Sequence, residues 1–203
     1  MIKYNDFKCT LAECSKDSSH VDENGNIIEM ITSSKIAVNF DKFLENYFKN
    51  VSSKSRPPES VDALCILGGR WCLIEFKNGD FKRSEICSKI GNSVSTVLFK
   101  ENIEPSQFKN NSMFILVYNR EAKNISEENY RNLHEEKYLK SNKVNPSKSM
   151  NDISDFFGKI SGEPIVLFGL NTFKHIYFSQ VITMDKNVFD EFIQTEEVLI
   201  PNN

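Results

Sequence analysis

Between residues 38 and 118 the spacing of apolar positions switches between the helical and the strand period. Phe40, Phe43, Leu44, Tyr47 and Phe48 fall at i, i+3, i+4, i+7 and i+8, which predicts a helix with a broad apolar stripe, capped near Asn39. The polar, proline-ended stretch Ser52 to Pro58 reads as a linker. Two apolar runs follow, Val61 to Leu67 and Trp71 to Phe76, separated by Gly68-Gly69-Arg70, as expected of strands joined by a glycine turn. From Ser84 to Phe99 the helical period returns, with Ile86, Ile90, Val94 and Val97/Leu98 on one face. Met113 to Tyr118 is a continuous apolar run, short enough for a buried strand.

The flanks are less regular. Residues 1–35 read as an N-terminal addition, with a small hairpin turning at Asn24-Gly25 and Ile27 to Ile31 as one arm. After the strand at 113–118, the pattern predicts a charged helix from Ile125 to Leu139, a loop from Ser141 to Met150 and a short helix from Asp152 to Ile160. Strands are expected at Ile165 to Phe168 and His175 to Val181, then a final helix near Asn187 to Gln194. The sum is one α/β domain with a mixed central β-sheet flanked by helices. Its core occupies 38–118, and 119–203 supply C-terminal strands and helices.

Composition removes several functional classes. The 203 residues are 39% apolar and 26% charged, with a formal charge of −3, so a packed core is expected and a polybasic protein is not. Three dispersed histidines (His20, His134, His175) do not suggest a histidine metal site. The eight glycines spell no phosphate-cradling loop. Five cysteines without a CxxC disfavour a zinc ribbon and favour free thiols in a reducing cytoplasm. No apolar run is long enough to span a membrane and no signal-like leader opens the chain, so no membrane association is expected. The abundance of Lys, Asn, Ser and Ile is associated with AT-rich bacterial genomes, which is correlation rather than physics.

The candidate chemistry lies in the glycine hairpin. With Gly68 and Gly69 at the centre of a two-residue turn, Leu67 opposes Arg70, Leu64 opposes Leu73 and Asp62 opposes Glu75. Opposed residues share a face, so the two carboxylates stand about 5 Å apart between Cβ atoms, with Lys77 on the same face. Facing carboxylates repel, and a hard divalent cation such as magnesium or manganese converts that repulsion into a binding site. A neighbouring lysine can orient a water or stabilise charge on a phosphate. An ExK tripeptide also arises by chance, and a one-residue bulge would put Asp62 on the opposite face. Cys65 and Cys72 oppose each other on the far face, as buried thiols, and Trp71 is expected to pack in the core.

Asp62, twelve residues, then Glu75-Phe76-Lys77 closing an apolar strand resembles the core of the PD-(D/E)XK nuclease superfamily. The resemblance spans about 38–118 and implies a restriction-endonuclease-like core of helix, β-hairpin, helix and strand. Val61 stands where the family name has proline. It implies Mg²⁺ or Mn²⁺ held by Asp62, Glu75 and the Phe76 carbonyl, with Lys77 beside the attacking water. Members often add an acid from the first helix, for which Glu45 and Asp41 are candidates, although both sit toward the solvent side of the stripe. Lys82, Arg83 and Lys89 are candidate phosphate contacts. Lys77 to Lys100 holds five cations (Lys77, Lys82, Arg83, Lys89, Lys100) against Asp80 and Glu85, and Lys137 to Lys148 adds Lys137, Lys140, Lys143 and Lys148 with no acid. The implied activity is metal-dependent phosphodiester hydrolysis, on DNA in preference to RNA, with a homodimer as a candidate assembly. The alternative is a catalytically silent fold that binds nucleic acid or protein.

Overall fold

The computed structural model describes residues 2–51, 56–79, 81–119 and 166–201. Nine strands and six α-helices are assigned among them. In order they are β1 (Lys8–Thr10), α1 (Leu11–Cys14), β2 (Lys16–Val21), β3 (Ile27–Glu29), β4 (Ile36–Asn39) and α2 (Phe40–Val51). The hairpin β5 (Ala63–Leu67) and β6 (Arg70–Lys77) follows, then α3 (Arg83–Glu101), α4 (Pro105–Asn110) and β7 (Ser112–Tyr118). After residue 165 come α5 (Phe173–Ile176), β8 (Gln180–Asp185), α6 (Lys186–Thr195) and β9 (Val198–Leu199). The helices expected at 125–139 and 152–160, and the basic segment 137–148, lie outside the described residues.

Seven strands form one mixed sheet in the order β1-β4-β5-β6-β7-β8, with β9 pairing the far half of β5. β5 runs antiparallel to both of its neighbours, β4 and β6, whereas β6, β7 and β8 run parallel. The parallel step from β6 to β7 needs a crossover, and α3 supplies it. The fold is therefore α/β with a mixed central sheet flanked by helices. Among the described residues no helix is long and apolar enough to cross a membrane.

Strand alternation divides the core in two. Leu64, Leu73, Phe114 and Leu116 point toward α2 and α3, where they meet Phe40, Phe43, Leu44, Ile86, Ile90, Val94 and Val97. Ala63, Cys65, Cys72, Ile74, Ile115 and Val117 point the other way, onto α1 and Phe189 and Ile193 of α6. β7 is buried along its whole length, as its unbroken apolar run requires. Cys65 and Cys72 are directly opposed, buried and free. Trp71 packs at the core edge beside Tyr4 and Phe108, each with ring centroids 6.4 Å away.

Three expectations change. The N-terminal region is not merely packed on the domain, because β1 extends the main sheet through β4; only β2 and β3 form the separate hairpin. Residues 166–168 are not a strand: Phe168 and Gly169 both adopt left-handed φ (59° and 64°), and the Leu167 N–H is taken by the Thr183 hydroxyl at 3.0 Å. The strand expected from His175 begins at Gln180, because Phe173 and Tyr177, four residues apart, stack on one helical turn with centroids 6.0 Å apart.

The β5–β6 register depends on its turn. Gly68 (φ 54°) and Gly69 (φ 75°) both have positive φ, the requirement of a type I′ hairpin turn. A side chain at either position meets no steric neighbour but carries backbone strain. Gly69→Val should therefore lower unfolding free energy by about 1 kcal/mol or more, and Gly69→Asn by less, in chemical denaturation with an unchanged m-value.

Candidate functional site

The hairpin register runs Leu67↔Arg70 through Ala63↔Ile74, as the sequence implies. The ladder stops there because Asp62 makes the next link with its side chain: Asp62 Oδ2 accepts the Phe76 N–H at 2.6 Å. Phe76 thus turns its N–H away from β7, whereas the following Lys77 carbonyl accepts the Asn119 N–H at 2.9 Å on the β7 side. A strand residue's N–H and C=O leave the chain on one side, so the Phe76 carbonyl also faces the Asp62 edge.

The segment that carries Asp62 is stitched to two helices. The Asp62 carbonyl accepts the Phe40 N–H at the start of α2 (3.0 Å), and the Val61 N–H donates to Ser93 Oγ of α3 (3.0 Å). Asn92 holds the Glu59 carbonyl at 2.8 Å, and the Ser60 hydroxyl donates to Asp41 at 2.5 Å. Ser93 and Lys89, four residues apart, share one flank of the α3 stripe, so the helix that anchors the segment also carries a cation to it.

Glu75 is fully buried on the α2/α3 face. Lys89 Nζ lies 2.8 Å from Glu75 Oε1 and 3.4 Å from Asp62 Oδ1, bridging the two acids. Lys77 Nζ lies 3.0 Å from the same Glu75 Oε1. Among the described residues neither Glu75 oxygen receives an aligned hydrogen bond, and both ammonium groups sit against Oε1. The pair binds protons more readily than free carboxylates do. Burial raises Asp62 first, and the Glu75 charge adds to it; burial likewise raises Glu75 against the pull of Lys89 and Lys77. Burial alone would lower Lys89, but Asp62 and Glu75 outweigh it and hold its ammonium above the ordinary lysine range.

The structure brings together Asp62, Glu75, Lys77 and the edge that carries the Phe76 carbonyl. Lys89 joins this cluster, between the two acids. Glu45 stands apart, paired with Lys49 at 2.7 Å on the exposed side of α2. Asp41, one turn earlier, is the first-helix acid whose charge acts on Asp62 and Lys89. Arg83 is engaged in holding the Gly169 carbonyl (3.1 and 3.3 Å) and Thr172 (3.2 Å), which ties α3 to the 166–172 turn. Lys82 is exposed at the start of α3. Lys100 lies 3.7 Å over the Tyr4 ring and pairs with Glu101. The anchors Ser60, Asn92 and Ser93 escaped the sequence reading. Only Ser93 left a signal there, as a polar residue within the apolar stripe of α3.

Among the described residues no group of three or more His, Cys, Asp or Glu side chains is arranged to hold a metal. The donors available are two carboxylates and a backbone carbonyl, a hard set suited to an ion that keeps several of its own waters. A buried carboxylate without aligned hydrogen bonds fits such an ion as a ligand. No protein-family model matches the chain, and no curated protein or solved structure matches it.

Two measurements check this geometry. Ser93→Ala leaves the Val61 N–H without its partner and should cost about 1–3 kcal/mol in denaturant unfolding, against little for exposed Ser95→Ala. A carboxylate whose folded-state pKa is raised binds protons more tightly in the folded protein, so its contribution to stability declines as pH rises above about 4. The unfolding free energy of the wild type minus that of Asp62→Asn should accordingly fall across that window; a difference that rises would contradict the assignment.

Proposed function

We propose that the protein is a metal-dependent phosphodiesterase acting on nucleic acid, with DNA favoured over RNA by the resemblance of its Asp62…Glu75-Phe76-Lys77 spacing to PD-(D/E)XK nucleases. The observation that carries the reading is the convergence of Asp62 and Glu75 on one cation. Lys89 Nζ sits within 3.4 Å of both, so a site for positive charge exists between them. Asp62, Glu75 and the Phe76 carbonyl would hold Mg²⁺ or Mn²⁺. When bound, such an ion supplies positive charge against the scissile phosphate and lowers the pKa of a coordinated water. Lys77, still 19% exposed, can hold a water at the Glu75 edge and offer charge to a phosphate oxygen. Asp41 and Ser60 hold the segment before Asp62 at a fixed distance from α2. Lys82, exposed just before α3, is placed to meet a phosphate backbone from solvent.

A second reading has its own support. Two ammonium groups already balance the two carboxylates, which is how a silent nucleic-acid-binding or protein-binding fold would keep these acids buried. Cleavage assays with Mg²⁺ or Mn²⁺ on single- and double-stranded DNA and RNA separate the readings. Under the first, Lys77→Ala should lose about 10²-fold or more in rate, and EDTA or Asp62→Asn should abolish cleavage. Cleavage unaffected by all three would belong to another site, and no cleavage by the wild type on any substrate would favour the silent fold.

A further inference from the structure

Lys89 places its Nζ between the two acids, 2.8 Å from Glu75 and 3.4 Å from Asp62. It grows from α3, reaches across to both acids, and retains 17% side-chain exposure, so its flexible stem has a way out to solvent. Lys77 grows from the same strand as Glu75 and contacts that carboxylate alone among the acids. The two carboxylates and two ammoniums compensate each other, so a dication added beside Lys89 would meet a like charge at contact distance in a buried site. We infer that Lys89 is a resident counter-ion that a divalent cation must displace, and that its freed ammonium then faces the phosphate of the substrate. This rests on the metal-site reading proposed above.

The inference accounts for an otherwise awkward combination. The chain supplies its own counter-ions to Glu75, one from the same strand and one from α3. It also sets a cost on metal binding, because the ion competes with an ammonium already in place. Removing that ammonium should tighten metal binding even as it harms any later step in which Lys89 meets a phosphate.

The test is Mn²⁺ binding to the full chain, read by the electron paramagnetic resonance of free Mn²⁺, for wild type, Lys89→Met and Lys89→Arg. Lys89→Met keeps the stem and should bind Mn²⁺ at least about tenfold more tightly, whereas Lys89→Arg should bind no more tightly than wild type. In EDTA the Met variant should melt below wild type, and Mn²⁺ should raise its Tm by more. Asp62→Asn in either background should abolish the binding, which fixes it to this site. Should Lys89→Met fail to fold by circular dichroism, Lys89→Gln replaces it with the same expected direction. Equal or weaker binding in a folded variant overturns the inference and leaves the metal site standing. No Mn²⁺ binding in any form removes the metal reading and this inference with it.

A different observation carries a second site. Cys9 Sγ and Cys14 Sγ are 3.0 Å apart across α1. Cys9 is partly exposed on β1, Cys14 is buried, and Thr10 and Glu13 cap the helix between them. We propose that this dithiol is a modification site that hydroperoxides oxidise to a reversible disulfide. The Cys9 thiolate attacks the peroxide, whose O–O bond breaks to leave a sulfenic acid and an alcohol or water. Cys14 Sγ then attacks the Cys9 sulfur, the S–S bond forms, the S–O bond breaks, and the Cys14 proton leaves with the hydroxyl as water. The hydrogen bond from Cys14, with help from Lys42 and Asn39, lowers the Cys9 thiol and favours its thiolate. Cys65 and Cys72 are fully buried and shielded from oxidant.

Trypsin cuts after Lys8 and Lys16, so both sulfurs fall on one peptide, residues 9–16. After hydrogen peroxide and alkylation, that peptide should be lighter by two hydrogens and unalkylated, and thiol reductant should reverse this. Cys14→Ser should instead leave a sulfenic acid on Cys9 that dimedone traps. A peptide 9–16 that stays fully alkylated while Cys87 is oxidised would overturn the proposal.

Discussion

A carboxylate with no solvent exposure sits in the middle of this sheet, and much of the surrounding structure answers to it. An unpaired buried charge of that kind costs several kcal/mol, so the chain must either neutralise Glu75 or bring cations to it. It brings two, from different elements. Lys77 comes from the next outward position on the same strand, and Lys89 from the helix that crosses over between the parallel strands. Glu75 therefore constrains the register of β6, the length of the β6–α3 connection and the rotation of α3 together.

Asp62 is held with comparable care. The sheet could have continued its ladder past Ala63, but a side-chain oxygen takes the Phe76 N–H instead. The four residues before β5 are then tied down by Phe40, Asp41, Asn92 and Ser93. Such anchoring keeps this segment from fraying and fixes the gap between two like charges, as an ion site or a permanent ion-pair cluster requires. Both proposed readings of the protein use this same construction. They differ in whether the cation between the acids is always Lys89.

What the sequence revealed follows from which constraints are local. The glycine turn and the strict period of two placed Asp62 and Glu75 on one face, because a two-residue hairpin leaves a single register. The helices around Phe43 and Ile90 were legible from their stripes, and the buried strand at 113–118 from its unbroken apolar run. The bridging position of Lys89 was not legible, because it depends on how α3 rotates against the sheet, a tertiary fact. Glu45 and Asp41 looked equivalent on a helical wheel; the Ser60 contact and the Lys49 pair separate them. The bond from Arg83 to the Gly169 carbonyl was not legible either, because the two lie 86 residues apart. The segment from Ile165 to Val181 misled because aromatic residues suit strands and also stack at helical spacing, and only packing decides between the two.

The most direct test of the account is a crystal structure of the protein soaked in MnCl₂, with data collected at the manganese absorption edge. The account predicts an anomalous difference peak between the Asp62 and Glu75 carboxylates, beside the Phe76 carbonyl, with Lys89 Nζ moved away from both acids. An Asp62–Lys89–Glu75 bridge still intact, with no anomalous density between the carboxylates, would contradict it.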